Sequence, residues 1–151
     1  MGDPAESPPA ESTPPASLRL SVLEHRLAVC RLEPDSEIPA WVAGAPFFCV
    51  ARTAGELSVV CPEELVPAGT TCGRGWRALE VEGPLEFGLT GVLASLAVPL
   101  AGSEVGILAI ATYDTDYVLV KEEQLDHAAA ALHRSGHEVR VTLTTRKEAT
   151  C

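Results

Sequence analysis

The sequence predicts an α+β fold of the ferredoxin-like type, built twice in tandem within one chain. Three observations carry this. From Trp76 onward, apolar residues alternate, then recur at helical spacing, alternate twice, recur at helical spacing and alternate again, which is the order βαββαβ. From Leu18 to Gly69 a thinner version of the same order is visible, with shortened helices. Apolar residues make up 46% of 151, enough for a core in one ordinary domain or two very small ones.

Residues 1–17 stand apart. They hold five of the 12 prolines, three acids and, after Met1, no large apolar side chain. Such a segment cannot bury enough surface to offset ordering entropy, so a disordered Pro-rich tail is expected. It lacks the basic start and apolar stretch of a secretory signal.

The first module is expected over 18–70. "LRLSVLEHRLAVCRL" (18–32) alternates on both sides of Glu24–Arg26 and reads as strand, tight turn, strand. "EIPAWVAG" allows only a short helix, with Pro39 in its first turn and Gly44 ending it. "FFCVARTAGELSVVCP" (47–62) is a hairpin around Thr53-Ala54-Gly55-Glu56. "EELVPAG" offers one more helical turn, stopped by Pro67 and Gly69.

The second module is expected over 71–143, followed by a tail at 144–151. "WRALEVEG" (76–83) alternates as a strand. In "GLTGVLASLAVPLAG" (88–102), Leu89, Val92, Leu93, Leu96 and Leu100 share a helical face, Thr90 is the expected N-cap and Pro99 should bend or end the helix. "VGILAIAT" (105–112) is apolar on both faces, as a central buried strand would be. "DYVLV" is its hairpin partner, 121–139 a helix with acids in its first turn, and "VRVTL" a closing strand.

Composition excludes several functions. A net charge of −10 with 11 scattered basic residues argues against nucleic acid, because phosphate binding needs clustered Lys and Arg. No run of 18 apolar residues exists, so no membrane span is expected. The five cysteines form no CxxC pair; Cys30, Cys49 and Cys61 fall in strand-like runs as small core residues, and reduced thiols in a cytoplasmic protein are the simplest reading. His25, His127, His133 and His137 form no HExxH, and GxSxG, P-loop and GxGxxG motifs are absent. Neither catalysis, a metal nor a cofactor is expected.

"LEHRLAV", "FFCVARTAGELSVV" and "GLTGVLASLAVPLAGSEVGILAIATYDTDYVLV" resemble the small tandem ACT-domain proteins of bacteria, and equally one half of the CASTOR cytosolic arginine sensors of the TOR pathway. The resemblance covers about residues 18–141. It implies paired ACT modules that bind an amino acid at a module or subunit interface and report it through assembly or a protein partner. It also implies site residues: Leu89, Thr90, Gly91 and Val92 at the turn into the helix, Gly106 and Ile107 at the next strand, and Thr112 and Asp116 on the hairpin. Gly106 stands where the arginine sensors can carry a serine, so that hydroxyl contact is absent.

Elementary electrostatics supports such a site. A helix N-terminus has unpaired N–H groups and partial positive charge, which suits a carboxylate, and Gly91 permits close approach. An aspartate nearby suits an ammonium or guanidinium, so a basic amino acid is among the candidates. Aspartates also serve tight turns, and Asp114 and Asp116 are open to that reading as well. Asp114 is expected to face solvent and hold the turn. A homodimer is expected, because the apolar 105–112 and 47–51 segments leave sheet faces or edges to be covered. The alternative is an ACT-like scaffold acting through protein contacts alone.

Overall fold

The computed structural model describes residues 17–83, 85 and 90–141. Residues 1–16 and 144–151 of the expected tails, and Leu89 among the candidate site residues, lie outside the described residues. The fold is α+β and ferredoxin-like, as the order of elements predicts.

Among the described residues, eight strands form one mixed sheet. They are β1 (Arg19–Val22), β2 (Leu27–Leu32), β3 (Cys49–Arg52), β4 (Leu57–Pro62), β5 (Cys72–Val81), β6 (Leu108–Ala111), β7 (Asp116–Lys121) and β8 (Glu138–Val141). Two helices, α1 (Val92–Gly102) and α2 (Leu125–Arg134), flank the β6–β7 hairpin in sequence. The two helices expected in the first half are single 3-10 turns, Ala40–Val42 and Glu63–Leu65. Proline fixes φ immediately before each, and three residues is as far as either turn runs.

β5 is longer than expected. It begins at Cys72, ahead of the strand expected from Trp76, and its ten residues serve three neighbours. Its C-terminal half pairs with β1 (Leu20 opposite Val81), its N-terminal half with β2 (Cys30 opposite Cys72), and its other edge with β7 (Ala78 opposite Leu119). β1 and β2 both run antiparallel to β5, so they point the same way. The Glu24–Arg26 segment is therefore a bend that steps the chain along β5 and not a reversal; Leu23 N–H still bonds the Ala78 carbonyl at 2.8 Å. Glu122 braces the bend by accepting Arg26 at 2.7 Å and Arg77 at 3.6 Å, while Arg77 also donates to the Leu23 carbonyl at 3.0 Å.

β1 lies between β5 and β8, parallel to β8. A buried histidine holds its start. The Leu18 N–H donates to His137 Nδ1 at 3.0 Å, which leaves Nε2 as the donor to the Ser95 carbonyl at 3.1 Å and ties β1, α1 and the approach to β8 together.

Alternation sends side chains to three cores. Leu79, Val81, Val118 and Val120 face α1 and α2, meeting Val92, Leu96, Leu100, Ala128 and Leu132. Leu27, Val60, Ala78 and Leu119 point from the opposite face, where Phe47 and Tyr117 stack with ring centroids 5.1 Å apart. Ala28, Cys30, Leu57, Val59 and Cys61 back onto the 3-10 turn that carries Trp41 and Val42.

One strand differs in kind from its expectation. β6 pairs with β7 alone and is an edge strand, with Leu108, Ala109 and Ala111 exposed. Its neighbour α1 is also apolar on its outer side, with Leu93 41% and Val98 69% exposed.

Burial pushes the Cys30 thiol up from its ordinary 9.0 to about 12, and Cys61 is raised for the same reason. An unfolded chain ionises these thiols first, so their contribution is complete below pH 9.0 and is lost as pH rises toward about 12. Urea midpoints should fall across that window, and Cys30→Ala should flatten the fall.

Candidate functional site

The segment entering α1 is anchored to the β6–β7 turn. At the end of β5, the Val81 carbonyl accepts the hydroxyl of buried Thr115 at 2.6 Å. Leu85 N–H donates to the Asp114 carbonyl at 2.7 Å. Between them Gly83 packs so closely that a Cβ would stand 3.0 Å from that carbonyl oxygen and 3.2 Å from the Thr115 Cβ.

α1 then begins on Gly91, which is exposed and left-handed at φ +79°. The cap position is thus Gly91 and not Thr90, because an L side chain is strained at that φ. Gly91 carries no side chain to cap the first turn, whose earliest internal bond is Ser95 N–H to the Gly91 carbonyl at 2.9 Å. Thr90 is exposed beside it; Val92 turns its side chain into the core.

The β6–β7 turn itself is held by threonine. Thr112 N–H donates to the Thr115 carbonyl at 2.9 Å, and the Thr112 hydroxyl both donates to that carbonyl at 3.0 Å and accepts the Thr115 N–H at 3.3 Å. Thr112 therefore does the work expected of Asp114, and its hydroxyl is committed to the turn. Asp114 is exposed, as expected. Asp116 opens β7 opposite Ala111 and shares the helix-side face with Val118 and Val120. It is half-buried, and among the described residues it has no hydrogen bond or ion pair.

On the other side of the turn, Glu80, Gly83, Asp114 and Thr115 line a hollow of about 290 Å³. Tyr117 lies opposite Glu80 in the ladder; burial raises its phenol, and the neighbouring Glu80 carboxylate, which its hydroxyl meets, adds to the rise. Four carboxylates, Glu80, Glu82, Asp114 and Asp116, thus belong to this end of the sheet. Such a field favours a cationic group.

Thr112 and Asp116 share the β6–β7 hairpin, Gly91 and Val92 open α1, and Val92 enters the core that Val118 and Val120 also line. Gly106 and Ile107 stand apart from the α1 start. Those two precede β6 at the far end of α1, whose 11 residues span about 16 Å. Gly106 is exposed with open space around it, and Ile107 packs half-buried on the helix-side core. Glu80, Gly83 and Thr115 were not singled out by the sequence; only the "TYDTDY" turn hinted at Thr115.

A larger cleft of about 580 Å³ lies at the β1–β2 bend, lined by Glu24, His25, Arg26, Glu63, Glu64 and Arg74. Much of its polar lining is already engaged: Arg26 with Glu122, the Glu63 carboxylate with Gly75 N–H at 3.0 Å, and Arg74 with the Glu63 carbonyl at 2.9 Å. Among the described residues no group of three or more His, Cys, Asp or Glu could hold a metal, and no helix is long and apolar enough to cross a membrane.

The ACT-domain family model matches residues 71–134, and a model of an N-terminal domain matches residues 25–69. Curated relatives include the cytosolic arginine sensor for mTORC1 subunit 1 of Rattus norvegicus, 31% identical over 98 residues, covering 59% of this chain and 29% of the relative. The mouse (Mus musculus) counterpart is 30% identical over 97 residues, with the same coverage. The chain thus spans less than a third of the length of the curated relatives it matches. A crystal structure of an Agobacterium tumefaciens protein superimposes with a TM-score of 0.79 at 32% identity, over 83% of this chain and 93% of that one. The ligand-free regulatory subunit of aspartate kinase from Thermus thermophilus shares the fold, with a TM-score of 0.55 at 14% identity over 76% and 96% of the two chains.

Gly83→Ala tests the coupling of loop and turn. The added methyl meets backbone, which cannot swing aside, so the variant should lose about 1–3 kcal/mol in urea denaturation.

Proposed function

We propose, from the premise that the chain belongs to the ACT-domain family, that it is a regulatory module that senses an amino acid bound at a module or subunit interface. The observation that carries this is the anchoring of the segment that leads to α1, through Val81, Gly83 and Leu85, on the 112–115 turn, after which Asp116 opens β7. The helix start suits the ligand's carboxylate and Asp116 a cationic group. The curated relatives are named as arginine sensors, which favours a basic amino acid. In this reading residues 18–70 and 71–143 are the two modules, and β1 is the strand the first lends to the second. The protein works in the cytoplasm and reports ligand through assembly or a protein partner.

The separation of Gly106–Ile107 from Gly91 is the reason to place the ligand between two copies. The Thr112 N–H bonds across to β7, so by strand alternation the N–H groups of Ala109 and Ala111 face away from it. A second copy laid antiparallel along that edge sets Gly106–Ile107 of one copy beside the Thr112 end of the other. Each site is then completed by its neighbour.

Titration calorimetry with arginine and lysine tests the ligand. Asp116→Asn should weaken binding by about 1.5–3 kcal/mol. Asp114→Asn should leave it nearly intact, and Gly91→Val should weaken every amino acid. Failure of all twenty amino acids to bind the parent would favour the scaffold reading.

Light scattering should return a dimer at tens of micromolar. Ala109→Pro removes an outward N–H without touching the β6–β7 ladder, so it should yield a monomer that no longer binds.

A further inference from the structure

We propose that Cys30 and Cys72 form an oxidisable pair, a site where a hydroperoxide converts two thiols into a cross-strand disulfide that locks β2 to β5. This is independent of the ligand reading.

The geometry comes from the ladder. Cys30 on β2 lies directly opposite Cys72 on β5. The adjacent Arg31 N–H donates to the Thr71 carbonyl at 2.9 Å, so residues 31 and 71 are the hydrogen-bonded pair and the cysteines the non-hydrogen-bonded one. Such pairs hold their Cα atoms about 4.5 Å apart with side chains close, within the span a disulfide bridges. Both side chains lie on the same face, Cys30 in the first-half core and Cys72 packed against it.

A third thiol, Cys61, belongs to the same core cluster as Cys30. Its place on the ladder is diagonal, because Cys30 faces Val59 on β4. Diagonal neighbours stand about 7–8 Å apart at Cα, beyond the usual reach of a disulfide. Cys72 is therefore the partner the backbone selects. All three are free thiols here.

Exposure assigns the order of events. Cys30 is buried and Cys72 is half-exposed, so an oxidant meets Cys72 first. The Cys72 thiolate attacks a peroxide oxygen, the O–O bond breaks, and the departing oxygen takes a proton as alcohol or water. Cys72 is left as a sulfenic acid. The Cys30 sulfur then attacks the Cys72 sulfur, the S–O bond breaks, and the hydroxyl leaves as water with the Cys30 proton. Two thiols have lost two electrons and two protons, and the hydroperoxide has gained them. Burial shields the Cys30 thiol from direct oxidation, and it attacks as its proton passes to the departing hydroxyl.

The product fastens β2, and through it β4 and β3, onto β5. It closes a loop of about 40 residues, which restricts the unfolded chain strongly.

The test uses the full chain and hydrogen peroxide at a few equivalents, followed by alkylation of free thiols and peptide mapping without reductant. The expected product is a Cys30–Cys72 linked peptide, with a Tm higher by roughly 10 °C that returns to the starting value with dithiothreitol. Cys72→Ser should abolish both signals, and Cys61→Ala should keep both. Should either variant fail to fold, the peptide map of the parent decides alone. A Cys30–Cys61 link, a link between two chains, sulfinic acid at Cys72 without a link, or no reaction would each overturn the proposal.

Discussion

The backbone groups of β5 have to be shared among three strands, and the architecture follows from how they are divided. One edge goes to β7. The other is split between β1 at its C-terminal end and β2 at its N-terminal end. An edge split in this way needs two segments running in the same direction, joined by a step and not a turn. Glu24, His25 and Arg26 supply that step, and Glu122 and Arg77 hold it in place. Because β5 passes through both halves, its side chains feed more than one core: Leu79 and Val81 go to the helices, and Ala78 and Trp76 to the opposite face. The halves cannot separate without breaking the ladder of a single strand.

Much of this was legible in the residues. The apolar runs within 47–62 and 116–120 identified hairpin strands, and Thr53–Glu56 identified a hairpin turn. What was hidden depended on distant partners. A polar triplet between two short apolar runs reads the same whether the chain reverses or steps sideways, and only the register on β5 distinguishes the two. Cys72–Gly75 carried no strand signal because its two glycines weaken any local preference, while the pairing with β2 supplies the strand.

The site was legible in part. The resemblance pointed to the helix entrance and the hairpin together, but no spacing rule joins Gly83 to Asp114 or Thr115 to Val81 across more than 30 residues. Thr112 illustrates a limit of assigning roles by residue type. A hydroxyl suited to a ligand is equally suited to its own turn, and here the turn has it. β6 illustrates another: "LAIA" is apolar on both faces, as in a central strand, yet within one chain it has a single neighbour.

The insertion of β1 between β5 and β8 carries a consequence for how the chain reaches its native state. The β3–β4 and β6–β7 hairpins join residues close in sequence and can form within microseconds. The parallel β1–β8 ladder joins Leu20 to Val139, and His137 reaches back 119 residues to Leu18. Contacts of that separation carry a large loop-closure cost before they gain anything, so they form late. On a ribosome, which releases the chain from its N-terminus onward, β1 emerges well before β8 and waits for it. Until β8 arrives it is a short apolar strand with an open edge, which makes the nascent chain a natural client for a chaperone.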